Sequence, residues 1–372
     1  MFGLTIVVFV SDGMNVVIAA GGTGGHFYPA LALAEEFRRW DPTTTVTLIG
    51  TGRAIEQTML AGTDIQIERI AVQGVIGRRI LGSFKALLLV PGAIRAAIHV
   101  LRKHQANLVI GTGGYTSPPV LIGAWILGIK RAILEPNAIP GIANRVLGPV
   151  AQRVFLSFEE ARPYFPEAKV RVVGTPIRKA FNDADLIPPV TGINSVLVCG
   201  GSQGAATLNT AVVEAVKHSE VWQTQISLIH QTGAEDFERV RQAYEGVSAR
   251  VQVVPFLKDM ASALGGSDLV ITRCGALTLA EIAAMGRPSI LVPFPEATHH
   301  HQEKNAGAVE KAGAGMVMLQ SELTGAHLAR TVEELRKDPS RVRAMAQKSL
   351  ALKRTNVTDT IVRECYDLVS NG

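Results

Sequence analysis

Residues 19–37, AAGGTGGHFYPALALAEEF, decide the fold. The apolar run NVVIAA (15–20) enters a turn built largely of glycine, His26 stands at its end, and a helical pattern of apolar residues follows. A buried strand, a glycine turn and a helix in that order form the opening unit of a dinucleotide-type α/β layer. The unit recurs at 195–216, SVLVCGGSQGAATLNTAVVEAV. A third glycine turn, Gly113-Gly114-Tyr115, follows the run ANLVIGT. None is a standard nucleotide fingerprint, because GGTGGHF fails G-x-G-x-x-G at its last position and GK[ST] is absent from both loops. Glycine lets a backbone approach a ligand closely, and the N–H groups of the following helix favour an anion. Tight βα turns use glycine as well, so the repetition at matching positions is what points to phosphate-bearing ligands.

Apolar runs alternate with helical patterns along the whole chain. TVTLIGT, ANLVIGT, RAILEPN and RVFLSF complete a first set, and TQISLIHQTG, RVQVVPFL, SDLVITRCG and RPSILVPF complete a second. The expected fold is therefore α/β, with two Rossmann-like domains facing each other across a cleft. The domain limits read from the sequence are 14–176 and 177–356, with 1–13 as an extension ahead of the strand that Met14 opens.

The 372 residues, 47% of them hydrophobic, suffice for two cores. Three widely spaced cysteines (Cys199, Cys274, Cys365) argue against a disulfide framework and for a reducing compartment. The apolar run Phe2–Val10 is too short to cross a bilayer. Charge is uneven: from Arg69 to Leu134 there is no acidic residue, while nine arginines and lysines fall there. Such a field favours an anionic partner. Ile80, Leu81, Phe84, Leu87 and Leu88 stand at helical spacing among Arg78, Arg79 and Lys85. This is the pattern of a helix lying on an anionic membrane surface, or of an ordinary helix docked on its own core. Nucleic acid is excluded as a partner by the absence of a recognition motif and an aromatic content of only 5%.

Several residues carry candidate chemistry. His26 sits at the ligand edge of the first sheet, either as a base toward a hydroxyl or as a cap or phosphate contact. Glu281 lies in the apolar run ALTLAEIAAM, where an unpartnered carboxylate is costly, so a ribose diol is a fitting partner. Arg178 stands at the junction of the halves, suited to clamping a diphosphate or to a hinge salt bridge. Gln302 offers an amide to sugar hydroxyls. Consecutive histidines at 299–301 lack partners at ligand spacing, so no metal is assigned to them. Asp183-Ala184-Asp185 spells D-x-D but sits in a proline-bearing connector, which favours a solvated loop.

The motifs GGTGGH (from Gly21), GTGGYTSPP (Gly111), EPNAIPG (Glu135), GTPIR (Gly174), GGSQGA (Gly200), FLKDM (Phe256), RCGALTLAE (Arg273) and HQEKNA (His301) together resemble one family. It is the bacterial two-domain GT-B transferases that add N-acetylglucosamine (GlcNAc) to undecaprenyl-diphosphate-linked N-acetylmuramoyl pentapeptide, lipid I, giving lipid II for peptidoglycan. The motifs occur in family order from about Met14 to the C-terminus. The resemblance implies a UDP-GlcNAc donor, a lipid-diphosphate acceptor, the cytoplasmic face of an anionic inner membrane, and inversion at the sugar without a cofactor or metal. Proteins of cell-wall synthesis are further candidate partners. It implies that Ser202, Gln203 and Arg178 meet the donor diphosphate and that the backbone at Leu257 meets uracil. Ala276, Leu277 and Thr278 would hold the sugar side, Glu281 the ribose and Gln302 the GlcNAc hydroxyls. Gly22, Thr23, Gly24, Gly25, Asn137 and the Gly113-Gly114-Tyr115 turn would line the acceptor side, with Thr23, Gly24, Gly25 and Asn137 also near the donor. His26 becomes the candidate base for the muramoyl 4-hydroxyl. The chain departs from the family pattern at Cys274 (often serine), Thr175 (often asparagine) and His299-His300, positions that bear on donor contacts. A helix over 357–372 is expected to return to the first domain. Rival readings are a UDP-GlcNAc 2-epimerase-like isomerase, a non-catalytic sugar-nucleotide binder, and another lipid glycosyltransferase acting on diacylglycerol.

Overall fold

The computed structural model describes residues 13–21, 24–60, 62–71, 80–181, 192–201, 203–247, 249–297 and 300–371. Seven parallel strands form the first sheet: β1 (Asn15–Ala19), β2 (Thr45–Gly50), β3 (Gln66–Arg69), β4 (Leu108–Gly111), β5 (Lys130–Glu135), β6 (Arg153–Leu156) and β7 (Val170–Val172). Their spatial order is β3-β2-β1-β4-β5-β6-β7. The second sheet has β8 (Ser195–Cys199), β9 (Ser227–Gln231), β10 (Arg250–Val254), β11 (Leu269–Thr272), β12 (Ser289–Leu291) and β13 (Gly315–Val317), ordered β10-β9-β8-β11-β12-β13. Each sheet thus places its first strand beside its second on one side and its fourth on the other. The order reverses between β1 and β4, and again between β8 and β11.

Burial explains why these runs become central strands. All four residues of β4 and of β11 are buried, as is all but the first of β1 and of β8. That is the signature of a parallel strand covered on both faces. The edge strands β3 and β10 have no buried residue. Helices begin just beyond the carboxyl ends of the four switch-point strands: Gly24–Trp40 after β1, Ser117–Ile126 after β4, Ala206–His218 after β8 and Ala276–Ala284 after β11. All the glycine turns singled out in the sequence therefore lie where an open α/β sheet binds its ligand.

The C-terminal helix, Val357–Ser370, packs against the Gly24–Trp40 helix of the first half. Val357, Ile361, Val362 and Cys365 enter the same core cluster as Phe27, Leu33 and Phe37. Burying each of the large aliphatic side chains contributes about 1.5–3 kcal/mol. The Tyr366 ring stacks on Trp40 at 5.8 Å, its hydroxyl meets Thr44 Oγ1 at 2.7 Å, and Glu364 accepts from Arg153 and Arg171. This seals the return of the chain to the first sheet. A β-carbon at Gly174 (φ +106°) would lie 2.9 Å from Cβ of Arg354, so the outgoing and returning crossings run side by side.

Residues 1–12, the D-x-D at 183–185 and the residues 72–79 ahead of the basic helix lie outside the described residues. The backbone over Ile80–Lys103 is helical, but the side chains of 80–89, on which the amphipathic reading rests, also lie outside the description. Among the described residues no helix is long and apolar enough to cross a membrane.

Candidate active site

His26 occupies the first turn of the Gly24–Trp40 helix, facing the turn after β4. Its Nδ1 lies 2.8 Å from the carbonyl oxygen of Thr112. A carbonyl only accepts, so Nδ1 carries the proton and Nε2 of the neutral ring is left with its lone pair. Burial, opposed by that hydrogen bond and reinforced by the field of His301, holds the pKa below the ordinary histidine value. Thr112 Oγ1 lies 3.0 Å from the Ala19 carbonyl and 3.1 Å from that of His26, tying β4 to the helix start. The adjoining turn must be glycine. A β-carbon on Gly113 (φ +100°) would sit 2.8 Å from Cε1 of His26, and one on Gly114 (φ +71°) 2.5 Å from the Gly21 carbonyl oxygen. Tyr115, next along, is 47% exposed and free to meet a ligand.

Across the cleft, Glu281 is buried on the Ala276–Ala284 helix and accepts a hydrogen bond from Arg178 Nη2 at 3.0 Å. Burial raises the Glu281 pKa, and the Arg178 guanidinium opposes this only in part. The sequence left a diphosphate clamp and a salt bridge open for Arg178; the structure shows it paired, with Glu281 as partner. The guanidinium also lies over two rings, Tyr28 at 4.4 Å and Phe181 at 5.0 Å. Its Nε is buried and has no hydrogen-bond partner. Tyr28 comes from the same helix turn as His26, so the first half reaches directly onto the Arg178–Glu281 pair. Sequence reading missed this contact, since nothing marks an aromatic two residues after a histidine as an interdomain one.

The turn after β11 is held by the His301–Lys311 helix. Gln302 Oε1 accepts from Cys274 N at 3.1 Å and from Phe294 N at 3.0 Å. The acceptor half of that amide is thus committed to backbone, and its NH₂ remains for a ligand. Asn137 is similarly committed. Its Nδ2 donates to Glu135 Oε1 (3.2 Å) and its Oδ1 accepts from Asn305 Nδ2 (3.2 Å). Cys274 is buried, and burial pushes its thiol far above the ordinary range, which makes it a packing residue. Ala276 and Leu277 are buried in the first helical turn and Thr278 is half-buried there. Leu257 is half-buried against the cluster of Ile177, Phe181 and Leu277. Gln203 is exposed in the turn after β8. Gly24 is buried, Gly25 exposed, and Gly22, Thr23, Ser202 and His299 lie outside the described residues. Among the described residues no group of three or more His, Cys, Asp or Glu is gathered as a metal site would need.

The glycosyltransferase family 28 N-terminal domain matches residues 16–156, and the C-terminal domain of the same family matches residues 195–361. A UDP-N-acetylglucosamine–N-acetylmuramyl-(pentapeptide) pyrophosphoryl-undecaprenol N-acetylglucosamine transferase of Myxococcus xanthus is 42% identical, the alignment covering 96% of this chain and 93% of that protein. The enzyme of the same name from Syntrophus aciditrophicus is 39% identical over 96% and 99%. The crystal structure of Acinetobacter baumannii MurG superposes with a TM-score of 0.74 at 31% identity, covering 95% of this chain and 99% of that one. A UDP-GlcNAc 2-epimerase from Neisseria meningitidis bound to UDP-GlcNAc reaches 0.66 at 14% identity over 95% and 100%, a likeness of fold alone. With both sheets in dinucleotide order, the glycine turns at their switch points and matching relatives along nearly its whole length, the chain belongs to glycosyltransferase family 28, among the MurG-type N-acetylglucosamine transferases.

Proposed function

We propose that the cleft carries out GlcNAc transfer with His26 as the base and the Arg178–Glu281 pair as the donor anchor. The chain is a UDP-GlcNAc-dependent N-acetylglucosaminyltransferase that makes lipid II from lipid I. In the proposed mechanism Nε2 of His26 takes the proton of the muramoyl 4-hydroxyl as that oxygen attacks C1 of the donor. The C1–O bond to UDP breaks on the opposite face, which inverts the α-linked centre to β. Negative charge grows on the leaving diphosphate. The start of the Ala206–His218 helix and the guanidinium of Arg178 are suited to stabilise it, and no metal is required. Glu281 receives the ribose hydroxyls, and the NH₂ of Gln302 a GlcNAc hydroxyl. The acceptor lobe is 14–176 with 357–372, and the donor lobe 177–356.

The observation that carries this reading is the buried, unpartnered Nε of Arg178 beside the buried carboxylate of Glu281. A donor left unsatisfied in a cleft is costly unless a ligand supplies the acceptor. A lipid acceptor supports a peripheral position on the cytoplasmic face of the inner membrane. Supporting this, Trp125, Ile126, Ile142 and Val146 are exposed on two helices, Ser117–Ile126 and Ile142–Leu147, that pack together within the basic half. Exposed aromatic and aliphatic side chains on helices that also carry the exposed Arg145 suit a headgroup layer. The test is incubation with UDP-GlcNAc in two arms, with and without a lipid I analogue. UDP release that requires the acceptor, with a β-linked product by proton NMR and no loss on adding EDTA, is the expected result. Conversion of the free donor to a second sugar would favour the isomerase.

A further inference from the structure

Asn305 is fully buried on the His301–Lys311 helix of the second half, yet three of its hydrogen bonds point in different directions. Its Oδ1 accepts from the backbone N–H of Ala138 at 2.9 Å, in the loop after β5 of the first half. Its Nδ2 donates to Asn137 Oδ1 at 3.2 Å in that same loop, and to the carbonyl of Cys274 at 3.2 Å in the turn after β11. The turn is gripped twice from this helix, because Gln302 holds Cys274 N while Asn305 holds Cys274 O.

The orientation of these amides is dictated from the first half. Glu135, at the end of β5, is 1% exposed and accepts from Asn137 N (3.0 Å), Asn137 Nδ2 (3.2 Å), Gly141 N (3.1 Å) and Asn144 Nδ2 (2.8 Å). Burial raises the pKa of Glu135 and these hydrogen bonds oppose it; with a backbone N–H already on each of its oxygens and Asn144 on one, Glu135 acts as the acceptor, so Asn137 presents its NH₂ to Glu135 and turns its oxygen toward Asn305. Asn305 must then present its NH₂ to that oxygen and its own oxygen to Ala138 N. No member of the chain can flip without losing a buried bond.

We infer that Glu135 and Asn305 are positioning residues, a directional clasp that fixes the acceptor-side loop against the donor-side turn across the cleft. This deepens the transferase reading and rests on it for its kinetic consequence. Neither residue touches the reacting atoms; the clasp sets the distance between hydroxyl and C1, and a misplacement of about 1 Å can cost on the order of 100-fold in rate.

The experiment compares the full-length wild type with Asn305→Asp, Asn305→Ala, Glu135→Gln and the Glu135→Gln/Asn305→Asp double variant. Asn305→Asp keeps the side-chain volume and the acceptor for Ala138 N while removing both donated bonds, so it guards against an unfolded alanine variant. Spin labels on cysteines replacing the exposed Arg38 and Lys217 report the separation of the halves, the native cysteines being buried. Expected are a broadened distance distribution in Asn305→Asp, UDP affinity within about threefold of wild type by calorimetry, and kcat lower by about 30-fold or more. The double variant is expected to be no slower than the slower single one, as for members of one unit. An unchanged distance distribution overturns the clasp, as does UDP affinity falling by the same factor as kcat, or single effects that multiply. Absence of transfer by the wild type would count against the transferase reading instead, and the distance measurement would still decide the clasp.

Discussion

Arg178 Nη2 and Glu281 Oε1 lie 3.0 Å apart, one at the crossing between the halves and the other inside the helix after β11. Their side chains are 23% and 5% exposed, so the pair is largely shielded from solvent. Removing one partner of such a pair leaves a charge buried and unpaired. Glu281→Ala is therefore expected to weaken UDP binding about 10- to 100-fold, in line with the loss of one or two charge-assisted hydrogen bonds. It should also erase the preference for UDP over 2′-deoxy-UDP. Calorimetry with both nucleotides checks this, and a retained preference would move the ribose contact elsewhere.

His26 has its Nδ1 proton committed to Thr112, and burial holds its pKa below the ordinary histidine value. The base form therefore predominates at neutral pH, and kcat/KM should stay flat from neutrality into the mildly acidic range before falling on the acid side, later than for an unperturbed histidine. His26→Gln should lose about 100-fold or more in kcat, the size of a general-base contribution, and lose that acid limb with it. Equal losses in donor affinity and kcat would reduce His26 to a binding residue.

Gly113→Ala tests the same histidine without replacing it. The added carbon would sit 2.8 Å from the imidazole at a φ of +100°, so the ring or the turn must move. A drop in kcat of about tenfold or more, with UDP affinity preserved, is expected from misplaced geometry. Wild-type kcat would show that the ring has no fixed role.

His230 provides a stability prediction in the second half. Asn209 donates to Thr232 O and Asp236, which turns its oxygen to His230 Nε2, while Tyr244 reaches Nδ1. The neutral ring is thus fully bonded, and burial pushes its pKa down to about 4. The unfolded chain, near 6.5, binds the proton first as pH falls. The contribution is therefore complete above about pH 6.5 and is lost progressively down to about pH 4, where it has fallen by about 3 kcal/mol. Urea unfolding at pH 7 and pH 5 should show a smaller difference in His230→Gln than in the wild type.

Ile361, with no exposed surface on the returning helix, tests the seal on the first lobe. Ile361→Ala should cost about 2–5 kcal/mol by chemical denaturation, with kcat per folded molecule unchanged. A cost below 1 kcal/mol would mean that the helix contributes little to the core.

The strands and turns were legible because fully apolar runs ending in glycine have few alternatives to a buried parallel strand. NVVIAA, ANLVIGT, SVLVC and SDLVIT became β1, β4, β8 and β11, the four switch-point strands. Pairings across the cleft were not legible. Arg178 and Glu281 are 103 residues apart, and Asn137 and Asn305 are 168 apart. Asn137 and Gln302 are read for a ligand from the sequence, whereas the fold first satisfies buried amides and charges with one another. That is why Asn137 and the oxygen of Gln302 turn out to be committed to protein, and why Glu135, named only as the start of a motif, and Tyr28 carry no assigned role there.

The most direct test of the account is transfer of radiolabelled GlcNAc from UDP-GlcNAc to a lipid I analogue by the wild type and His26→Gln, with EDTA present. Labelled lipid from the wild type, at a rate at least about 100-fold above the variant and with equal UDP affinity, is the predicted result. UDP release without labelled lipid, or equal rates from both proteins, would contradict it.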